Sequence, residues 1–430
     1  MRLPLACLVL VAVARVTAPD AHAAEDDVRA LKALAPELRK NLEQAVVGFW
    51  YPRSIDRANG GYLLAFDDRG ATTGTPNKMI VSQARMVWLF ARLARSGYRQ
   101  AEMKEAAAQG FRFLADRMWD PEHGGFYWEV DPTGTRVTDD GKYTYGESFG
   151  LYALSEYYRA TGDEKALALA TRLYDLLVRY ARDPEQGGYY EFFTRDWKAP
   201  PEGARSHVGG PPGAKLMNTH LHLLESVAEY YRASASTDAR ERLHELVTIE
   251  TNAVVRKELT ACTDQYRRDW TPILEEGSAR VSYGHDLENI WLSADAVSTL
   301  AESNAPLVDL YRRLFAYSRA HGIDETAGGV YSSGPFNAPA DQRNKIWWVQ
   351  AEALVSALTM FRLTGDAAYA RMFEQTWRWV NTKQTDWANG EWYQDVRPDG
   401  THTPVKADQW KEGYHNGRAL LVCLELLDAL

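Results

Sequence analysis

The chain has 430 residues and a formal net charge of −9, and it contains no basic run, so nucleic acid is not an expected partner. Aromatic residues make up 12% of the chain, with 14 Trp and 23 Tyr, and such flat amphipathic rings suit stacking on sugar faces as well as core packing. The three cysteines, one of them in the N-terminal apolar run, cannot form a disulfide framework.

Residues 1–23 have the pattern of a secretory signal peptide. A basic residue precedes an apolar stretch over 3–14, and a small-x-small exit ends at Ala23. The apolar stretch is too short for a stable membrane span, and no later run reaches the roughly 18 apolar residues that a membrane helix needs. We therefore expect one domain over 24–430, secreted into a bacterial periplasm and without membrane contact after signal cleavage.

A short turn signature recurs along the rest of the chain. Each copy has a glycine, usually a second glycine, and then an aromatic or β-branched residue; the copies begin at Gly60, Gly124, Gly187, Gly328 and Gly390. Successive copies are 64, 63, 141 and 62 residues apart, and the long interval predicts a degenerate sixth copy near Asp264–Tyr266. About fifty residues per unit remain for two helices, which predicts six units of roughly 66 residues.

The stretches between the turns have helical periodicity. In one of them the apolar residues follow i, i+4, i+7, i+11 and i+14, namely Met217, Leu221, Leu224, Ala228 and Tyr231. Six helical hairpins can close into an all-α (α/α)6 barrel with short β-hairpins at one end, because closure buries the faces that an open array exposes. The starts of the six inner helices then meet around one pocket.

Counting from the turns predicts which residues converge there. Arg85, Glu147, Trp348 and His415 follow their turn glycines by 20 to 25 residues, and we expect them to be equivalent. A longer connection over 199–215 precedes the third inner helix. It is interpreted as a lid or rim loop, with disorder as the alternative.

Three histidines lie near predicted helix starts, in the motifs NTHLHLLE, SYGHDLENIW and WKEGYHNGRALL: His222, His285 and His415. Because imidazole both takes and gives a proton near neutral pH, cofactor-free proton transfer is the leading hypothesis. Asn218 and Glu225 share a helix face with His222, whereas His220 points away and is expected to pack structurally. For His285, capping of a helix is the alternative. No spacing in the chain supplies a closed metal site, so no metal or other cofactor is expected.

These motifs, with VSQARMVWLF, TYGESFGLYALSEYYRATGD and KIWWVQAEAL, resemble those of the N-acylglucosamine 2-epimerases. The similarity runs from about Leu42 to the C-terminus. Its YGHDLE form is most similar to the cellobiose (mannobiose) 2-epimerase branch. The sequence departs from the family at Glu412 and Gly413, where a proline-containing version is expected.

The resemblance implies that His285 and His415 exchange the C2 proton of a sugar from opposite faces, through a cis-enediolate, while His222 polarises the ring and carbonyl oxygens. Its implied substrate contacts are Arg85, Asn218, Glu288, Tyr145, Trp347, Trp348 and Trp410, with the three tryptophans as stacking walls. For Arg85, a salt bridge at the barrel rim is the alternative. The implied activity is 2-epimerisation at the reducing end of a β-1,4-linked disaccharide such as cellobiose.

Other functions stay open at this level. An N-acylglucosamine 2-epimerase or a mannose isomerase would use the same site. An (α/α)6 glycoside hydrolase would need two carboxylates across the scissile bond, and its candidates are Glu129, Glu147, Glu191 and Glu352. A non-catalytic helical repeat would bind a sugar or a protein in a groove. The sequence does not predict an oligomeric state.

Overall fold

A computed structural model describes residues 21–275 and 277–430, with side chains from residue 25 onward. The predicted signal peptide therefore lies outside the described residues, except for the backbone of its last three positions. Within the described ranges, no helix combines the length and apolar character needed to cross a bilayer.

Helices dominate the described chain and alternate between an outer and an inner layer. In chain order they are α1 (Ala21–Lys32), α2 (Ala35–Lys40), α3 (Gly48–Trp50), α4 (Ile80–Arg95), α5 (Gln100–Phe113), α6 (Thr144–Thr161), α7 (Glu164–Leu176), α8 (Met217–Ser234), α9 (Thr237–Thr248), α10 (Tyr283–Thr299), α11 (Val308–Gly322), α12 (Trp347–Thr364), α13 (Ala367–Trp379) and α14 (Tyr414–Asp428). Several outer helices continue as π-helical turns, over Asn41–Val47, Leu114–Met118, Leu177–Ala181, Ile249–Ala253 and Val380–Gln384, and a 3₁₀ turn, Ala305–Leu307, precedes α11.

Six helices, α4, α6, α8, α10, α12 and α14, form the inner ring. Each contacts the next one along the chain, and α14 contacts α4, so the ring closes. These helices are buried on nearly every face, whereas the outer helices are amphipathic and three of them, α7, α9 and α13, begin at side-chain caps from Asp163, Ser236 and Asp366. The predicted (α/α)6 architecture is confirmed.

Short strands lie at the end of the barrel where the inner helices begin. They are β1 (Phe66–Asp67), β2 (Lys78–Met79), β3 (Glu129–Val130), β4 (Val137–Asp139), β5 (Lys142–Tyr143), β6 (Phe192–Phe193), β7 (Lys215–Leu216), β8 (Val255–Arg256), β9 (Ala261–Cys262), β10 (Gln265–Tyr266), β11 (Arg280–Ser282), β12 (Ser333–Pro335), β13 (Lys345–Ile346), β14 (Asp395–Val396) and β15 (Val405–Ala407). All pairs are antiparallel. Most join successive units, as β2 with β3, β5 with β6, β7 with β10, β11 with β12 and β13 with β14. Only β3 with β4 and β8 with β9 are local hairpins of the predicted kind.

The turn signature has a constant geometry in all six units. In each unit a bridge joins the residue after the turn to one seven positions earlier: Ile55 with Tyr62, Trp119 with Phe126, Arg182 with Tyr189, Val255 with Cys262, Ile323 with Val330 and Thr385 with Trp392. The degenerate copy is therefore Thr260–Cys262, and its predicted position at Asp264–Tyr266 is wrong by four residues. Thr260 takes the left-handed conformation, with φ 56°, that glycine takes in the other units.

Two hydrogen bonds per unit fix the start of an inner helix against a turn. The first amide of α8, from Met217, donates to the carbonyl of Asp264 at 2.7 Å, and α4, α6, α10 and α12 repeat this contact. The fourth residue of the helix accepts the amide that follows the turn, as Gln83, Glu147, His220, Asp286 and Gln350 do. Glu147 therefore holds a turn as the fourth residue of α6, whereas Arg85 is the sixth residue of α4. Trp348 and His415 are both second residues of their helices, so the predicted equivalence holds for these two alone.

The first and last units meet to close the barrel. Strand β1 pairs with β15. Buried Asn41 donates to Thr385 Oγ1 at 2.9 Å and accepts from Trp392 Nε1 at 2.8 Å. Trp50 Nε1 donates to Glu391 at 2.5 Å. Glu391 also accepts the amide of Trp392, because the fourth residue of α14 is Gly417 and has no side chain to do so.

Candidate active site

A cavity of about 310 Å³ opens where the inner helices begin. The second and sixth residues of these helices supply most of its wall, because positions i and i+4 share one helix face. Its lining consists of Arg85, Tyr145, His207, Val208, Asn218, His222, His285, Glu288, Trp347, Trp348, Trp410 and His415. All ten residues that the sequence analysis assigned to the site thus lie around one pocket.

His415 is held by a buried carboxylate. Its Nδ1 lies 2.7 Å from Glu352 Oε1, and both side chains are buried. Burial and the cations of Arg85 and Arg418 hold the pKa of His415 well below its usual value, while burial raises the pKa of Glu352. The pair therefore shares a proton in the wall of the pocket, with the second imidazole nitrogen of His415 free for other contacts.

His285 lies beside His415 across one indole. Its ring is 4.7 Å from that of Trp348, which is 5.8 Å from the ring of His415. Burial, reinforced by His222, lowers the pKa of His285 to about 3. His285 is therefore a neutral imidazole at neutral pH, able to accept a proton.

His222 is oriented from below by Glu225. The distance from its Nδ1 to Glu225 Oε2 is 3.2 Å, and the hydroxyl of Tyr414 donates to the same carboxylate at 2.7 Å. Asn218, one turn earlier, also faces the pocket. The predicted shared face is thus present, and His220 is turned away from it: its Nδ1 lies 2.6 Å from Leu216 O and its Nε2 accepts the Tyr189 amide at 2.8 Å.

Arg85 brings a permanent positive charge into the pocket wall. It donates to Tyr145 Oη at 3.1 Å, pairs with Glu412 at 3.4 Å and lies 4.1 Å above the ring of Phe149. Burial and the Arg85 cation act in opposite directions on Glu412, and burial prevails, raising its pKa to about 7. The residue at which the sequence departs from the family pattern is therefore the ion-pair partner of Arg85.

Arg418 neutralises the carboxylates beneath the pocket. It pairs with Glu225, with Glu288 at 2.7 Å and with Glu352 at 2.8 Å. Burial, together with the charge of Glu352, raises the pKa of Glu288 to about 7. One buried guanidinium thus holds the partners of both His222 and His415 in fixed positions.

The rim contains a residue that the sequence analysis missed. His207, from the connection over 199–215, stacks on Trp128 at 4.7 Å and bonds Asp139 through Nε2 at 2.8 Å. Trp410 is 40% exposed at the mouth, 6.2 Å from the Trp128 ring. The connection is therefore an ordered rim element. The sequence could not predict that His207 reaches the pocket, because residues in a loop have no helical periodicity that shows which way they face.

Two residues next to the pocket support its wall. A Cβ at Gly284 would lie 2.4 Å from Trp348, so the glycine makes room for that indole. Trp291 packs in the core and donates to Glu352 at 2.8 Å.

The carboxylates proposed for a hydrolase are occupied elsewhere. Glu129 accepts from Asn77 and Thr138, Glu147 from the Phe126 amide, and Glu191 from Ser206 and Thr219. Glu352 lies behind His415. Among the described residues, Glu288 is the only carboxylate in the pocket wall, so no pair of acids spans it.

One group of described side chains could approach a metal ion. Ligand atoms of Glu288, Glu352 and His415 lie within 4.8 Å of one another. Arg418 already contacts both carboxylates, and a metal ion would have to compete with that cation.

Comparison with known proteins adds independent information. The family model described as N-acylglucosamine 2-epimerase matches residues 60–419. The cellobiose 2-epimerase of Bacteroides fragilis is 31% identical over 92% of this chain and 98% of its own length. The cellobiose 2-epimerase structure from Spirochaeta thermophila superposes with a TM-score of 0.84 at 31% identity, covering 93% of this chain and 98% of that one. A D-mannose isomerase structure, at 22% identity and a TM-score of 0.79 over 92% of this chain and 98% of that one, shares the fold.

Proposed function

Because this chain belongs to the N-acylglucosamine 2-epimerase family and is a carbohydrate epimerase, we propose that it interconverts glucose and mannose configurations at the reducing end of a β-1,4-linked disaccharide such as cellobiose. The observation that carries the proposal is the convergence of His222, His285 and His415 with Arg85 in one pocket. Imidazoles can both remove and return a proton, and the Arg85 cation can stabilise the negative charge that develops.

Proton transfer at C2 is assigned to two histidines. Once the sugar ring is open, neutral His285 removes the C2 proton from one face. His415 carries a proton on Nε2 and shares a second proton with Glu352 through the 2.7 Å hydrogen bond at Nδ1; it gives the Nε2 proton to the other face of C2, and the shared proton stays with the pair. In the reverse reaction His415, with Nε2 unprotonated and the proton shared with Glu352 still in place, is the base, and protonated His285 is the acid. The apolar surroundings of His285 favour its starting state as a neutral base, and the carboxyl group beside His415 favours its starting state as the proton donor.

The remaining polar groups stabilise the intermediate. Removal of the C2 proton leaves an enediolate with negative charge on O1 and O2. Arg85 is always charged, and His222 is held by Glu225, so both can donate hydrogen bonds without reorganising. The inner helices begin at the pocket, so the positive ends of their dipoles lie toward it. Asn218 and Glu288 bind the sugar hydroxyls.

The disaccharide assignment rests on the rim. Trp347 and Trp348 flank the ring that reacts, whereas Trp410 lies farther out and exposes part of its indole. Together with Trp128 and stacked His207 it offers an aromatic surface for a second sugar ring.

The test is incubation with cellobiose, mannose and N-acetylglucosamine in deuterated water, with NMR to locate the label and the product. We expect mannose configuration and deuterium at C2 of the reducing residue of cellobiose. Conversion of mannose to a ketose, or preference for N-acetylglucosamine, would reassign the substrate within the same family. No deuterium incorporation into any of the three would refute the proton-transfer scheme.

We also propose that no metal or other cofactor takes part, because histidine, glutamate and arginine supply every proton and charge that the reaction needs. Exhaustive treatment with EDTA should leave the rate unchanged. Loss of activity that one divalent ion restores would overturn this assignment and would point to Glu288, Glu352 and His415.

The N-terminal segment is assigned to export. We propose that residues 1–23 are removed as a secretory signal and that 24–430 form the mature periplasmic domain. N-terminal sequencing of protein recovered from a periplasmic extract should begin at Ala24. Retention of the segment in cytoplasmic protein would refute the assignment.

A further inference from the structure

A second, larger cavity lies at the other end of the barrel, where the inner helices end. Its volume is about 550 Å³, and all six inner helices contribute to its wall, for example through Arg95, Tyr152, Glu229, Asp295, Arg362 and Glu425. We call it the lower cavity. Cavities of this size commonly bind small molecules, and the chemistry assigned to the catalytic pocket does not use it.

The carboxylates of the lower cavity are already paired. Arg95 contacts Glu156 at 2.6 Å, Arg232 contacts Asp295 at 2.7 Å, and Arg92 contacts Glu425 at 2.5 Å. A further arginine, Arg159, pairs with Glu229. These acidic groups are therefore not available to bind a cation.

Hydrogen-bond donors remain without acceptors. Trp88 Nε1 and Arg418 Nε are buried and have no acceptor among the described residues, and both side chains belong to the wall. Arg362, at the open side of the wall, forms no ion pair within the described part of the chain. Burial and the charge of Glu229 raise the pKa of Glu156 to about 8, so Glu156 adds little negative charge at neutral pH. The unsatisfied groups favour a ligand rich in acceptors and negative charge.

We propose that the lower cavity is a second ligand site, separate from the catalytic pocket, for a small organic anion that carries carboxylate or phosphate oxygens. Arg362 pairs with the anion at the entrance, and the Trp88 indole N–H donates to it in the interior. Six arginines and four carboxylates line the lower cavity, so its wall has an excess of positive charge.

The experiment measures anion binding directly, without reference to catalysis. The mature chain is titrated calorimetrically with citrate and, separately, with inorganic pyrophosphate at low ionic strength; the two probes distinguish carboxylate from phosphate ligands. We expect one probe molecule per chain with a Kd of about 1 mM or lower for at least one of them.

Matched variants locate the site. Arg362→Ala and Thr359→Glu, which places a carboxylate one helical turn from Arg362, should each weaken binding at least about tenfold. Arg371→Ala removes the same charge from an exposed position on α13, and Thr359→Gln keeps the size of the introduced side chain. Both controls should bind within about twofold of the parent. Because Arg362 is exposed and unpaired, its variant should fold even where Thr359→Glu does not.

Three outcomes would overturn the proposal. Neither probe binds saturably; or Arg371→Ala weakens binding as much as Arg362→Ala does, which indicates adventitious surface binding. In the third outcome, Arg85→Gln abolishes binding while Arg362→Ala does not, which places the anion in the catalytic pocket.

Discussion

At the scale of single residues, the site depends on pairs that differ in what surrounds them. His285 lies against an indole, whereas His415 is bonded to a carboxylate. His222 and His220, two residues apart on α8, face a pocket and a turn respectively. In each pair the same side chain is placed in a different environment, and the environment determines whether it can exchange protons.

Alanine substitutions of the two proposed proton-transfer histidines should have different effects on exchange of the C2 proton. His285→Ala and His415→Ala should each abolish epimerisation while sugar binding stays within about tenfold, because the lost group acts on the barrier. Each variant keeps one base, so each should still exchange the C2 proton of one epimer with deuterated solvent, and the two variants should act on opposite epimers. Separate incubations with each epimer, followed by NMR, check this. Epimerisation at more than a few per cent of the parent rate in both variants would contradict the scheme.

His222 and His220 give a contrast within one helix. His222→Ala should reduce kcat by on the order of 10² or more with little change in melting temperature, because one preorganised hydrogen-bonding group is lost. His220→Ala should lower the free energy of unfolding by roughly 1 to 3 kcal/mol, since it leaves the Tyr189 amide unpaired, and should spare kcat in folded molecules. Thermal melts paired with initial rates measure both effects. The reverse pattern would mean that α8 presents its other face to the sugar.

Activity should persist in mild acid. The pKa of His285 is lowered to about 3 and that of His415 is also lowered, so protonation of these bases occurs only well below the ordinary histidine value near 6.5. A profile of kcat/KM against pH should therefore show its acid limb below 6.5. An acid limb at or above that value would show that the bases titrate as solvent-exposed imidazoles.

At the scale of elements, the turns determine what the sequence could predict. The first glycine of each turn revealed five units because that position needs positive φ. The helix faces placed Asn218, His222 and Glu225 correctly. Thr260 escaped detection because a non-glycine residue adopts the same left-handed turn, which shifted the count in that unit. His207 escaped as well, since a loop residue reaches the pocket through tertiary contacts with Trp128 and Asp139 that no local pattern encodes.

The exceptional turn suggests a stabilising substitution. Thr260→Gly should raise the free energy of unfolding by about 1 kcal/mol, because a β-branched residue is strained at φ 56° and glycine is not. Its side chain has no hydrogen-bonding partner among the described residues that would be lost. Thr260→Ala should give a smaller gain, as it keeps a Cβ at positive φ.

Chemical denaturation measures these changes, and Gly188→Ala is the opposite control. Gly188 has φ 74°, and an added Cβ would lie 2.5 Å from Trp270, so this substitution should destabilise. Destabilisation by Thr260→Gly would show that the threonine side chain contributes something that the turn geometry does not require.

At the scale of the whole molecule, closure distinguishes this fold from an open helical array. Each inner helix supplies pocket residues, and the last unit is bonded to the first through Asn41, Trp50 and Glu391. In an open array each unit contacts only its neighbours and the ends open first. A ring has no ends, so the pocket and the whole barrel should be lost together.

The last prediction tests this closure with two buried asparagines. Asn41 joins the first unit to the last through Thr385 and Trp392, whereas Asn289 joins adjacent elements through the backbone and side chain of Glu250. Asn41→Ala and Asn289→Ala should each lower the free energy of unfolding by about 3 kcal/mol, because each leaves buried partners unpaired. In a closed ring, both variants should keep a single transition in which circular dichroism and activity are lost at the same denaturant concentration. If the seam between the first and last units behaves as two free ends, Asn41→Ala alone should split the transition, with activity lost before most of the helical signal.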